Sequence, residues 1–168
     1  MDFSFRPLTK EDFELILEWL NKPHVKKWWR DQKDTLDEIE KKYGGRIEGD
    51  DPTDCYIAEI DNTPIGFIQS YPINDYPEHA RSIPLDNAVG IDLFIGKEDF
   101  TGKGFGTKLL EQFVKKVLRV RYPDARFVVA DPEVANVASV RAFQKAGFRK
   151  GKIVSGEHGP EQLMIFEL

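Results

Sequence analysis

"GIDLFIGKEDFTGKGFGTKLLEQFVKK", residues 90–116, holds three features in series. "GIDLFIG" is an apolar run of strand length, "TGKGFG" sets three glycines at alternate positions, and an amphipathic stretch follows. There Phe105, Leu109, Phe113 and Val117 recur every four residues, with Leu110, Val114 and Leu118 beside them and lysines opposite. That period predicts a helix. A strand entering a helix through Gly102, Gly104 and Gly106 brings bare main-chain amides to the helix N-terminus. Such a terminus suits a phosphate, because its N–H groups and its dipole both favour an anion. Lys97, Lys103 and Lys108 add positive charge nearby. Two common phosphate loops fail on spacing. The G-x-x-x-x-G-K-[ST] form is one residue short between Gly102 and Gly106, and Thr107 precedes Lys108. The G-x-G-x-x-G form is not met by G-x-G-x-G. On spacing alone, a tight turn that binds nothing remains the alternative.

Upstream, "FSFRPL" alternates as a strand, Thr9 with Asp12 forms an N-cap signal, and Phe13, Ile16, Leu17 and Leu20 give a helical stripe. "KPHVKKWWR" is a break, and "TLDEIEKKYGG" reads as a short helix stopped by glycine. "DCYIAEI" and "TPIGFIQSYPI" are strands of a hairpin about Asp61-Asn62. Asn74 to Asn87 is polar and reads as a loop. Downstream, "ARFVVAD" is a buried strand, "NVASVRAFQKAG" is a helix capped by Asn136 and ended by Gly147, and "FRKGKIVSG" and "EQLMIFEL" are the last strands. The order β-α-α-β-β-β-α-β-α-β-β fits a mixed α+β or α/β fold with a largely antiparallel sheet. No repeat or linker interrupts it, so a single domain over residues 1–168 is expected.

The balance of 40% hydrophobic and 32% charged residues is that of a globular domain, with net charge −5. An acidic chain makes nucleic acid an unexpected partner and suits a cationic small molecule. One cysteine, Cys55, allows no internal disulfide. No apolar run of membrane length or secretory type is present, so a cytoplasmic location is expected, with no membrane association. His24, His79 and His158 lack metal-ligand spacing, and no metal is expected.

"TGKGFGTKLL", placed between "GIDLFIG" and "DPEVANVASVRAFQKAGF", resembles the acetyl-CoA site of the GCN5-related N-acetyltransferases. Their loop, Gln/Arg-x-x-Gly-x-Gly/Ala, is matched by Thr101, Gly104 and Gly106, with Thr101 departing from the usual Gln or Arg. Their second motif is met by Asn136, Ser139, Phe143, Lys145, Gly147 and Phe148. The resemblance implies six to seven strands in a mixed, mostly antiparallel sheet with helices on both faces and a splayed parallel strand pair. It implies acetyl-CoA as cosubstrate and coenzyme A as product. The pyrophosphate would lie on the loop from Thr101 through Gly102, Lys103, Gly104, Phe105 and Gly106 to Thr107. Amides of Leu93, Phe94 and Ile95 would meet the pantetheine arm and the reacting oxygen, and Asn136, Phe143 and Lys145 would complete the site. Within the family, "EWLNKPHVKKWW", "PIGFIQSY", "GIDLFIG" and "GKGFGTKL" are similar to the aminoglycoside 6′-N-acetyltransferases of antibiotic resistance.

Acetyl transfer to an amine needs a held thioester, a neutral amine, donors for the developing oxyanion and a tolerable thiolate. Asp92 is a carboxylate inside an apolar strand, and the resemblance places the catalytic aspartate there. A solvent-facing charge on alternating strand geometry is the bland alternative. Ordinary pKa values of about 3.9 for Asp and about 10.4 for a lysine-like amine make direct proton removal uphill by roughly 9 kcal/mol. Orienting the ammonium and taking its proton late is the role that fits. Phe143 stands where many relatives carry a tyrosine, and it has no proton to give the thiolate.

A polycationic acceptor calls for several carboxylates in one cleft. By resemblance Asp75, Asp92 and Asp131 surround the amine, with Tyr71, Trp28 and Trp29 beside it. Trp28 and Trp29 give either a flat wall for a sugar or part of the core. Loop acids are often merely solvated, and Asp131 before Pro132 is also a turn former. Alternative acceptors are a hydroxylysine-type siderophore precursor or a peptide N-terminus, and a non-catalytic acyl-CoA sensor is a reading from another class. The chain is expected to act as a monomer or homodimer.

Overall fold

Asp61 and Asn62 adopt φ of 50° and 61°, and on that left-handed pair the predicted hairpin forms. A computed structural model describes residues 1–168. Its strands are β1 (Ser4–Pro7), β2 (Asp54–Ile60), β3 (Thr63–Pro72), β4 (Ala88–Ile95), β5 (Phe127–Ala130), β6 (Arg149–Gly156) and β7 (Gly159–Glu167). They are hydrogen-bonded in the order β1-β2-β3-β4-β5-β7-β6. β4 and β5 run parallel, whereas β1/β2, β5/β7 and β6/β7 run antiparallel. The helices are α1 (Phe13–Leu20), α2 (Pro23–Lys26), α3 (Leu36–Glu48), α4 (Pro77–Ala80), α5 (Phe105–Phe113), α6 (Arg119–Arg121) and α7 (Val137–Lys145).

The chain divides into two compact units, Met1–Gln69 with Leu93–Thr101 and Ser70–Asp92 with Gly102–Leu168. In the first, α1 buries Phe13, Ile16, Trp19 and Leu20 against Ile39 and Tyr43 of α3, with Ile57, Phe67 and Phe94 from the strands. Arg6 binds both oxygens of buried Asp12 at 2.7 and 2.8 Å and Glu59 at 2.7 Å. The Thr9–Asp12 capping box forms as predicted. Helix α3 does not stop at Gly44-Gly45. It runs on to Gly49, whose φ of 84° supplies the left-handed cap. Each mid-helix glycine costs about 1 kcal/mol, and burial of Ile39, Tyr43 and part of Ile47 along one stripe offsets it.

In the second unit Tyr71, Ile73, Ile83, Ala88, Val129, Leu163 and Ile165 form a common core. The segment read as a loop between β3 and β4 contains a 3-10 turn, Ile73–Asp75, and the short helix α4. The segment read as a break at residues 22–30 likewise contains α2, opened by Pro23. The helix after the glycines is not uniform. Between α5 and α6 it widens into a π-helical stretch, Val114–Leu118. Asn136 caps α7 by accepting from the Ser139 amide at 3.2 Å, and Gly147 ends it at φ 98°.

Candidate active site

The parallel pairing is short. β4 pairs with β5 from Ala88↔Phe127 to Gly90↔Val129, and the pairing ends there while β4 runs on to Ile95. Leu93, Phe94 and Ile95 follow along the same strand. His24 donates from Nε2 to the Ile95 carbonyl at 2.9 Å and so anchors the strand's end.

The glycine loop has the conformation its spacing predicts. Gly102 and Gly104 take φ of 69° and 84°, and a Cβ built at either would meet nothing within 4 Å. The side of each residue that a Cβ would occupy therefore faces open space rather than packed side chains. Gly104 is the N-cap of α5 and no side chain caps that end. Gly106 differs: a Cβ there would make ordinary contact with Ala142 at 3.9 Å. Thr101, the departure from the motif, donates its hydroxyl to the Glu98 carbonyl at 2.8 Å. Lys108 is paired with Glu111 at 2.8 Å, while Lys103 stands exposed beside Gly102 and Gly104. In the second motif Asn136 spends its side chain on the α7 cap, Lys145 is exposed, and Phe143 is buried edge-on to Phe148 with centroids 5.0 Å apart.

A second group of residues lies in the unit that holds Asp92. Tyr71, on β3, is buried and donates its phenolic hydrogen to Asp92. Burial first, and then the Asp92 and Asp131 carboxylates, hold that phenol well above its ordinary pKa, so it stays a donor. His79 on α4 donates from Nε2 to Oδ2 of Asp131 at 2.7 Å. This hydrogen bond raises the His79 pKa against the opposing effect of burial, and Asp92 and Glu161 act in the same direction. Glu161, on β7, is pushed up to about 7 by burial and then by Asp131, while His79 pulls the other way. Its position follows from the turn after β5. The Gln162 amide donates to the Pro132 carbonyl at 2.8 Å, and Glu133 bridges Glu161. No group of three or more His, Cys, Asp or Glu has a metal-holding arrangement.

The structure thus brings together Tyr71, Asp92 and Asp131 of the sequence-derived set. It leaves Asp75 exposed on its 3-10 turn. Trp29 takes the core alternative, lying edge-on to Phe67 and Phe94 at 5.8 and 5.0 Å. Trp28 lies under the Lys27 ammonium, 4.9 Å from the ring centroid. Sequence reasoning missed His79 and Glu161. His79 has no partner at metal-ligand spacing to mark it, and Glu161 sits 30 residues of helix and hairpin away from Asp131. Cys55 is buried, and burial raises its thiol to about 11, which leaves no nucleophile there.

Residues 9–155 match the acetyltransferase (GNAT) domain family. The chain belongs to that family. As a GNAT protein it is an acyltransferase, and the parallel β4/β5 pair and the glycine turn occur in the order the resemblance implied. Among curated GNAT relatives, an aminoglycoside N(6′)-acetyltransferase type 1 of Klebsiella pneumoniae is 30% identical over 165 residues, 96% of this chain and 81% of the relative. Among solved structures, aminoglycoside acetyltransferase AAC(6′)-Ib with acetyl-CoA and paromomycin superposes with a TM-score of 0.87 at 28% identity, covering 99% of this chain and 94% of that one. The same enzyme with coenzyme A and kanamycin gives 0.86 at 28% identity, with coverages of 99% and 95%. No helix is long and apolar enough to cross a membrane.

Proposed function

We propose that this chain is an acetyl-CoA-dependent aminoglycoside 6′-N-acetyltransferase of the antibiotic-resistance type. The observation that carries the reading is the gathering of Asp92, Asp131 and Glu161 around Tyr71 and His79, in a GNAT protein that has aminoglycoside N(6′)-acetyltransferases among its relatives. A pocket of carboxylates favours a polycation over a neutral or anionic acceptor.

Acetyl-CoA supplies the activated acyl group: the acceptor nitrogen gains the acetyl and loses a proton, and coenzyme A leaves as the thiol. The chain's own residues do the rest. Main-chain amides from Gly102 to Thr107 bind the pyrophosphate, with Thr101, Lys103 and Phe105 in the same loop. Leu93, Phe94 and Ile95 offer strand amides to the pantetheine arm and to the thioester oxygen. Tyr71 fixes the Asp92 carboxylate through its hydroxyl, and Asp92 orients the acceptor ammonium and accepts its proton late. Phe143 is a core ring, so the thiolate leaves without a phenol at that position.

The reading is tested by following thiol release with kanamycin-type aminoglycosides, lysine derivatives and peptides as acceptors. Release with the sugars is expected. Release with lysine derivatives or peptides alone would move the acceptor class, and coenzyme binding without release from any amine would replace the enzyme by a sensor.

A further inference from the structure

Acyl transfer as derived above uses Tyr71 and Asp92 and leaves two titratable groups of the pocket without a task. These are His79 and Glu161. His79 is held firmly. The Ala80 amide donates to the Tyr76 carbonyl at 2.9 Å, Ser82 Oγ donates to the His79 carbonyl at 2.9 Å, and Ala80 and Ile83 pack into the core of their unit. Its ring lies 6.1 Å from the Tyr71 ring at 36°. The charged groups facing the imidazole come from three elements: Asp131 after β5, Asp92 on β4 and Glu161 on β7. A histidine, unlike an arginine or lysine, is a cation only when protonated. Neutral, it donates Nε2–H to Asp131 and leaves the carboxylate charge standing. Protonated, it cancels one of the carboxylate charges that would otherwise attract an acceptor.

We propose that His79 is the positioning residue of the acceptor pocket: it fixes Asp131 through the 2.7 Å hydrogen bond and, when protonated, competes as a built-in cation with an acceptor ammonium for that carboxylate. The inference rests on the reading of this pocket as an amine site. The raised pKa of His79 brings the competition closer to neutral pH, and Glu161, at about 7, loses its charge over the same range. The two effects add, since both remove negative charge from the pocket as pH falls.

The test measures acceptor KM with kanamycin, and coenzyme KM beside it, between about pH 5.5 and 8.5 in the natural protein, His79→Gln and Glu161→Gln. Glutamine keeps a neutral donor near Nε2 without titrating. In the natural protein acceptor KM rises as pH falls while coenzyme KM stays level. In His79→Gln the rise loses a component of about fivefold, the size of one partly exposed charge pair. In Glu161→Gln the His79 component remains. Superimposable pH profiles for His79→Gln and the natural protein would overturn the proposal. An independent arm needs no turnover: imidazole NMR of the natural protein should show His79 titrating lower when kanamycin binds, and lower again in Asp131→Asn. If no amine supports thiol release, the acetyltransfer reading fails and this arm alone decides. A His79 titration shifted by kanamycin keeps the cation site, and one unmoved by both kanamycin and Asp131→Asn removes it.

Discussion

The ring of Tyr71 lies across the bare main chain of Gly90: a Cβ built on Gly90 would sit 2.3 Å from Cε2 of the tyrosine. The glycine of the "GID" triplet thus lets the phenol reach Asp92, two residues further along β4. Gly90→Ala forces the ring aside. Overpacking of this kind costs about 1–3 kcal/mol. Thermal unfolding should register the loss, and acetyl transfer should fall with coenzyme affinity retained. An alanine variant with native melting and native turnover would show that the ring has room to move.

Asp92→Asn keeps the shape of the side chain and removes its charge. Loss of a positioned proton acceptor typically costs 10²–10⁴ in rate, so kcat for an aminoglycoside should drop by about a hundredfold or more. Calorimetric binding of coenzyme A should be unchanged. Near-full turnover in this variant would remove Asp92 from the chemistry.

Gly104→Ala tests the phosphate cradle. No atom opposes the added methyl, so any cost arises from φ 84°, about 1–2 kcal/mol for an L residue. Relief of that strain turns amides of the loop away from the ligand. Hydrogen bonds to charged groups are worth about 1.5–3 kcal/mol each, so coenzyme A should bind about tenfold more weakly by calorimetry. Unaltered affinity would place the pyrophosphate elsewhere.

Glu161→Gln should change how stability depends on pH. In the folded chain Glu161 is raised to about 7 from an ordinary value of 4.5, so between those values the folded state holds more protons than the unfolded one. Stability therefore falls as pH rises through that window. His79, also raised, stabilises fully below its unfolded value and loses that contribution as pH climbs past its folded one. Glutamine cannot ionise, so the variant should gain on the natural protein from pH 5 to pH 8. The gain is on the order of 1 kcal/mol once solvent screening at this partly exposed side chain is allowed for. Parallel melting curves at both pH values would contradict it.

Cys55 should be silent in a thiol-release assay. With its thiol raised to about 11 by burial, roughly one molecule in a thousand carries thiolate at pH 8. An aromatic disulfide reagent should label it only when denaturant opens the fold.

Periodicity determined most of the framework. The alternation of β1, the four-residue repeat from Phe105, the left-handed Asp61-Asn62 pair and the Asn136 cap are local signals, each carried by neighbours in the chain, and each formed where it was read. So did the open conformation at Gly102 and Gly104, because positive φ is a property of the residue itself. Tertiary packing decided what local signals cannot encode. It drew α3 through Gly44-Gly45, because Ile47 beyond them packs against the same core as Ile39 and Tyr43. It sent Trp29 against Phe67 and Phe94, settling an ambiguity that adjacent tryptophans always leave. It set His79 against Asp131 from 52 residues away and brought Glu161 to the same place through a turn after β5. A pocket's charge is a sum over groups that only the fold makes neighbours, and no window along the chain contains them together.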